Sequence, residues 1–434
     1  MSQKNKRKEL NSQAERKYLM FRLRRGFITL GHSRVKRFNV FLYALIVLSI
    51  LYHITIGVPT PYIETTELVL FTASAVTGFL VMILIFGTPR GMLKTCDGLI
   101  RVGFVNRVSE PPLLLSRRKD PTNKLVTILE FYTSGLELKA WNDNVTKIES
   151  ILNFHIVRIS QDESRDKVQL YTVPGNVQLP SNIIWRNSYL RKQDFELVLG
   201  VSLLGQEIVD LNVIPHMLIG GATGSGKTVL MKLLLAQCLL KGAKVYICDF
   251  KGGVDFPLIW HKKCNLITAE KDLLEVLTSM AEELERRKLI LREVGCANIS
   301  EYNQRAISPL PRVVIAFDEL AEVLDRTGLD KNQKEVVASI ENRIAKIARL
   351  GRFAGIHLLI GLQRPDANIL NGQIKNNVNC RVCGRADSVL SQIILDTTDA
   401  ATLIPKDARG RFLTHTGVVF QSYWFNESDI FNER

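Results

Sequence analysis

The 434-residue chain has no internal repeat and no low-complexity tract, which excludes solenoid, propeller and fibrous organisations. Its seven cysteines, Cys96, Cys238, Cys248, Cys264, Cys296, Cys380 and Cys383, are scattered, so no disulfide framework is readable and a reducing compartment fits. The single C-x-x-C, Cys380 to Cys383, lacks a second Cys/His pair at comparable spacing. That removes a zinc site and leaves both residues as structural cysteines of a short strand. Positive charge is also scarce where a broad basic field would need it. Residues 1–38 carry 12 Lys/Arg against 2 acids, whereas residues 201–434 carry 29 against 27, so most of the formal +14 lies in the N-terminal tail. Any nucleic-acid contact in the C-terminal half must therefore be local.

Formal charge is missing from two apolar runs, residues 40–58 and 68–86, of 19 residues each. As helices each would reach about 28 Å, close to the thickness of bilayer hydrocarbon. Their length, the forty-residue offset and the second run exclude a cleaved signal peptide. His53 reads as a helix-end residue near the interface. The connection PTPYIETTE (59–67) has no Lys or Arg, whereas the tail has twelve and Arg90, Lys94 and Arg101 follow the second run. This asymmetry predicts a two-pass anchor in the cell membrane with both termini cytoplasmic. Neither run holds a charge that would mark ion transport.

The most specific signal is LIGGATGSGKTVLMK, residues 218–232. Gly221, four residues, then Gly226-Lys227-Thr228 is the phosphate-loop pattern, so Gly221, Ala222, Thr223, Gly224, Ser225, Gly226, Lys227 and Thr228 are the candidate nucleotide cradle. Lys227 is positioned to neutralise the β/γ-phosphates and Thr228 to hold Mg²⁺. An apolar run precedes the loop and a helix-periodic run follows it, giving the strand-to-helix turn that places an anion at a helix N-terminus. About ninety residues on, RVVIAFDEL ends a continuous apolar run in Asp318 and Glu319. There Asp318 would complete the Mg²⁺ shell and Glu319 polarise a water, which points to hydrolysis.

Further apolar runs, KVYICDF (244–250), IHLLIGLQ (356–363) and NCRVCG (379–384), alternate with helical stretches such as 272–294. They predict an α/β fold with a parallel sheet covered on both faces. Upstream, residues 88–124, including EPPLLLSRRKDP, have linker character, and residues 125–196 read as a small α/β module with a helix over 136–152 and strands at HIVRIS and KVQLYTVPG.

The ordered segments LVLGVSLLGQEIVDLNVIPHMLIGGATGSGKT, CDFKGGVDF, FDELAEVL, RFAGIHLLIGLQRPDANILNGQIKNNVNCRV and DSVLSQIILD resemble the successive motifs of the FtsK/SpoIIIE DNA-translocase family across residues 197–412. The resemblance implies that residues 197–434 form a RecA-like P-loop motor that assembles as a homo-hexameric ring and pumps DNA with ATP and Mg²⁺. It implies Gln363 as the γ-phosphate sensor and Arg352 as an arginine reaching the neighbouring subunit's γ-phosphate. Arg349 is its rival, and a cation that merely complements the helix dipole the alternative. Asp249 and Lys251 match a second strand-end motif, with Phe250 where the family usually has proline and Leu362 where it has threonine. Arg364, Lys375, Asn376 and Arg381 would lie in or beside the loop facing the pore, as DNA-contact candidates.

With 1–38 as a basic cytoplasmic tail, 39–87 as the anchor and no room for a winged-helix reader after the motor, the organisation is similar to coupling proteins of Gram-positive conjugative elements. That resemblance implies a relaxase and transfer-channel proteins as partners. A chromosome or sporulation-type duplex translocase, a type VII-like protein secretion ATPase and a non-hydrolysing scaffold are the other classes. Tandem motors usually mark the secretion class, and the intact Lys227, Asp318 and Glu319 argue against the scaffold.

Overall fold

The computed structural model describes residues 3–55, 65–363 and 372–432. Residues 56–58 of the first apolar run, residues 59–64 of the connection, and Arg364 lie outside the described residues. The chain divides into two compact units, Met1–Gly175 and Asn176–Arg434.

The first unit opens with a helix, Gln3–His32, where the sequence suggested only a basic tail. Helices Arg34–Thr55 and Thr65–Gly87 follow, and both are long and apolar enough to cross a membrane. Their apolar side chains face outward: Phe41, Leu48, Val69, Leu70 and Ile85 are all exposed. A buried pair of soluble helices does not look like this.

Next comes a four-stranded antiparallel sheet of β1 (Leu113–Lys119), β2 (Thr127–Tyr132), β3 (Phe154–Gln161) and β4 (Lys167–Pro174), in the order β1-β2-β4-β3. Residues 88–124 are not a linker here. They supply helix Met92–Arg101 and strand β1, and Met92, Cys96, Leu99, Phe104 and Leu114 form much of the core around Trp141. The indole lies 5.0 Å from the Phe104 ring and 5.4 Å from Phe131. The apolar half of β1 (Leu113-Leu114-Leu115) is followed by Arg117-Arg118-Lys119, and that charged end hid the strand from pattern reading. The expected helix over 136–152 is two helices, Leu138–Asp143 and Val145–Leu152, divided at Asn144, whose side-chain amide donates back to the Ala140 carbonyl.

The second unit is built on a ten-stranded sheet, order β6-β5-β14-β13-β12-β7-β11-β10-β8-β9. Its strands are β5 (Glu196–Ser202), β6 (Gly205–Asp210), β7 (His216–Gly220), β8 (Lys244–Cys248), β9 (Asn265–Ile267), β10 (Val313–Phe317), β11 (Ile356–Leu362), β12 (Cys380–Cys383), β13 (Arg411–Thr414) and β14 (Val419–Ser422). The six strands from β12 to β9 are parallel, as expected. The remaining four add an antiparallel extension. Every residue of β7, β10 and β11 is buried, the reason their sequences are apolar throughout apart from the buried His216 and His357.

Helix Lys331–Ala354 starts at a capping box, Asp330 with Gln333, and stops at Gly355, whose φ of +67° suits the left-handed C-terminal position. All seven cysteines are free thiols, with Cys380 and Cys383 buried in β12.

Candidate nucleotide site

Adjacent parallel strands deliver their C-terminal ends to one edge of the sheet: β7 to the loop 221–226, β10 to Asp318 and Glu319, β8 to Asp249, and β11 to Gln363. Such an edge is where ligands bind in open α/β sheets. The loop is tied down from both sides. Gly221 N–H donates to the Leu362 carbonyl at 3.1 Å, Ala222 N–H to Arg385 O at 2.8 Å, and Gly410 N–H to Ser225 O at 2.8 Å. Gly226 has φ of +98°, and a Cβ there would come within 2.8 Å of Gly410 N, so position 226 has room only for glycine. Helix Lys227–Leu240 begins directly after it.

Lys227 is buried, and its ammonium lies 3.1 Å from Asp318 Oδ1 while also donating to the Asp318 carbonyl. Thr228 Oγ1 donates to the same Oδ1 at 3.0 Å. Asp318 Oδ2, Asp249 Oδ2, Glu319 Oε1 and Ser225 Oγ are buried without a hydrogen-bond partner. Buried polar atoms left unsatisfied cost about 1–3 kcal/mol each, and four around one edge mark a place prepared for a ligand.

The donor set suits Mg²⁺, a hard cation that takes one or two carboxylates plus oxygens of its phosphate ligand. Thr228 and Asp318 are the residues that fit it. No group of three or more His, Cys, Asp or Glu side chains that could form an all-protein metal site occurs among the described residues.

Glu319 caps the short helix Leu320–Leu324, and its Oε2 accepts the Gln363 N–H at 2.8 Å. Burial pushes its carboxyl up to about 7, against the pull of Lys227. Gln363 is linked to the loop at 3.5 Å, Thr223 Oγ1 donating to its Oε1. Behind them, a Cβ at Gly361 would stand 2.1 Å from the Asp318 carbonyl and 2.9 Å from Lys227 Nζ. Glycine at 361 is what lets β11 lie this close to the acid-bearing strand. Lys251 Nζ lies 3.6 Å from Glu322 Oε1 and 4.0 Å from Asp318 Oδ2. Burial and the nearby Asp318 charge raise the Asp249 carboxyl above the usual range.

One residue was missed from the sequence. Arg385 donates to the Thr223 carbonyl at 2.6 Å and to Lys406 O at 2.7 Å, which holds a guanidinium against the phosphate loop. Its signal was faint, because it follows β12, a strand of only four residues.

Arg352 is not brought to this edge. It occupies the last turn of Lys331–Ala354, at the start of β11, whereas Gln363 follows the end of that strand. Seven residues of strand separate the two by roughly 20 Å. Arg352 is exposed, and its Nε donates to Asn212 O at 3.3 Å. Arg349, its rival, is also exposed. Of the DNA-contact candidates, Lys375 and Arg381 converge on Asp396, at 2.7 and 2.5 Å, and Asn376 is exposed.

Comparison with known proteins agrees with this geometry. The model of the FtsK/SpoIIIE family matches residues 183–367. DNA translocase FtsK of Helicobacter pylori (strain J99) is 34% identical over 244 residues, covering 52% of this chain and 28% of that protein. DNA translocase SftA of Bacillus subtilis (strain 168) is 34% identical over 228 residues, covering 50% of this chain and 23% of that one. The chain thus matches under a third of the length of these curated relatives. The solved structure of the pCW3 conjugation coupling protein TcpA, in monomer form with ATPγS, is 35% identical, with a TM-score of 0.58 over 77% of this chain and 95% of that chain. On these matches and this site, the chain belongs to the FtsK/SpoIIIE family.

Proposed function

We propose that this protein is a membrane-anchored, ATP-driven DNA translocase, and that it acts as the coupling protein delivering DNA to a conjugative transfer channel. The observation that carries the reading is the edge at β7, β10 and β11, where Lys227, Thr228, Asp318, Glu319 and Gln363 meet around unsatisfied buried oxygens. The likeness to a conjugation coupling protein over most of both chains supports the finer assignment. The two outward-facing apolar helices and the Lys/Arg asymmetry support a two-pass anchor with cytoplasmic termini.

In this mechanism the loop amides and Lys227 hold the ATP phosphates, and Thr228 and Asp318 hold Mg²⁺. When bound, the metal supplies charge neutralisation at the phosphate oxygens. Glu319 orients and deprotonates the attacking water. Gln363, bonded through its backbone to Glu319 and through its side chain to Thr223, links the state of the phosphate site to the segment that follows β11. That segment leads to Arg364, Lys375, Asn376 and Arg381, the proposed DNA contacts of a homo-hexameric ring. A relaxase and channel proteins are the further partners of this reading.

ATP hydrolysis by the full chain, measured with single-stranded DNA, duplex DNA or none, tests the proposal. One or both DNAs should stimulate it, and absence of stimulation by either would contradict a DNA motor. Because Asp396 holds Lys375 and Arg381 in the free protein, DNA phosphates must displace that carboxylate. Arg364→Gln with Lys375→Gln should therefore weaken the stimulated rate more than the basal rate, and the gap in DNA affinity should narrow as salt rises. Equal losses with and without DNA would reassign these residues to folding or nucleotide binding.

A further inference from the structure

The N-terminal helix Gln3–His32 is seated against the end of the second apolar helix with backbones in contact. A Cβ at Gly26 would come within 2.1 Å of the Ile83 carbonyl, and one at Gly87 within 1.9 Å of the Arg22 carbonyl. This crossing fixes a set of cations where the two apolar helices end on the same side. Arg22 Nε donates to Thr88 Oγ1 at 2.8 Å, and Lys36 Nζ to the Phe86 carbonyl at 3.0 Å. Arg25 precedes Gly26 at this crossing and lies one helical turn from Arg22, and Arg90 follows Thr88 by two residues, so both flank the junction, where their charges act on Lys36.

Lys36 and a second, longer bond from Arg22, Nη2 to the Leu84 carbonyl at 3.4 Å, satisfy carbonyls of the helix C-terminus, whose partial charge is only about half a unit. Four cations therefore remain largely uncompensated. Glu130 acts on Arg25, but none of the four is in an ion pair among the described residues. Collecting four like charges is unfavourable without an anion.

Exposed apolar side chains stand beside these cations in the chain. Phe38, Ile85 and Leu93 are 62%, 63% and 73% exposed. Helix Met92–Arg101 buries Met92, Cys96 and Leu99 while turning Leu93 and Ile100 outward beside Lys94, the pattern of an interfacial helix. An anion seated here would have hydrocarbon-compatible surface on either side of it, which suits a phosphodiester carrying acyl chains and not a free ion.

We propose that Arg25, Lys36 and Arg90 form a binding site for the phosphate headgroup of an anionic phospholipid, at the junction of the N-terminal helix with the two apolar helices. The site rests on the reading of those helices as a membrane anchor. Guanidinium forks bond phosphate oxygens bidentately, and basic pockets between spans at the cytoplasmic face are suited to anionic headgroups.

The test reconstitutes the full chain into nanodiscs of equal phosphatidylcholine and phosphatidylglycerol, extracts it with mild detergent and quantifies the lipid retained. Phosphatidylglycerol should be enriched several-fold over its share in the disc, and the enrichment should fall to the disc ratio in Arg25→Gln/Arg90→Gln. Basal ATP hydrolysis of that variant, unchanged from the parent, verifies that it is folded. Retention of the chain without enrichment, or equal enrichment in the variant, would overturn the site alone. Displacement of the retained lipid by inorganic phosphate would overturn the lipid assignment in favour of a free anion. Failure of the chain to enter discs of any composition would overturn the anchor, and the headgroup site with it.

Discussion

Glu319→Gln should leave ATP bound while slowing its hydrolysis about 10²–10⁴-fold, the range general-base catalysis contributes. The substitution keeps the shape of the side chain and its acceptor for the Gln363 N–H, and removes only the ability to take a proton. Lys227→Ala should fail earlier, at productive nucleotide engagement, because it takes the buried ammonium from the loop and leaves Asp318 Oδ1 with Thr228 as its remaining partner. Nucleotide binding and single-turnover hydrolysis, measured side by side, separate the two. Both variants should abolish DNA transfer. Undiminished transfer by Glu319→Gln would remove hydrolysis from the mechanism.

The same residue sets a pH dependence. Burial holds the Glu319 carboxyl protonated up to about 7, and only the carboxylate accepts a proton from water. On the acid side kcat/KM should therefore fall as pH drops through 7, approaching about tenfold per pH unit, and the residual activity of Glu319→Gln should lack this limb. An identical limb in the variant would assign it to another group.

The second large effect concerns Arg352. Its helix turn is held firmly: Arg287, buried, donates to the Ala354 carbonyl at 2.7 Å and to Pro311 O at 2.8 Å, and Gly355 ends the helix. The guanidinium itself is exposed, some 20 Å from its own phosphate loop. Within one subunit such an arginine cannot touch the nucleotide. In a ring it would do so only across a subunit boundary, where an arginine can be worth ~10³-fold or more in phosphoryl transfer.

Mixing therefore makes a sharp test. Arg352→Ala subunits keep an intact phosphate loop, and Lys227→Ala subunits keep an intact Arg352. Each variant alone should be nearly inactive, and co-assembled rings should regain part of the activity. No recovery in rings shown to contain both would leave Arg352 as a helix-end cation that complements the dipole.

The parts of this protein legible from sequence are those carried by contiguous residues. The phosphate loop, the acids after β10 and Gln363 after β11 each end a buried run that reads as one pattern, and the structure brings them to one edge. What was illegible depends on distant pairing. Strands β13 and β14 have four residues each, too few for a period, and belong to the sheet only because β14 pairs with β5 more than two hundred residues earlier. Arg385 was hidden for the same reason, since nothing local announces that β12 lies beside β7. The module's first helix and strand were hidden by charge: Met92, Cys96 and Leu99 alternate with Lys94, Asp97 and Arg101 in a segment that reads as polar until Trp141 is placed against it.

The proposed function makes ATP hydrolysis at Lys227, Asp318 and Glu319 the driver of DNA movement. It is tested most directly by ATP-dependent displacement of streptavidin from the biotinylated end of a DNA strand, presented single-stranded and as duplex, by the full chain in detergent or nanodiscs. Displacement is expected from at least one DNA form with ATP, and from neither with ATPγS or with Glu319→Gln. ATP hydrolysis at a normal rate without displacement from either form would contradict it.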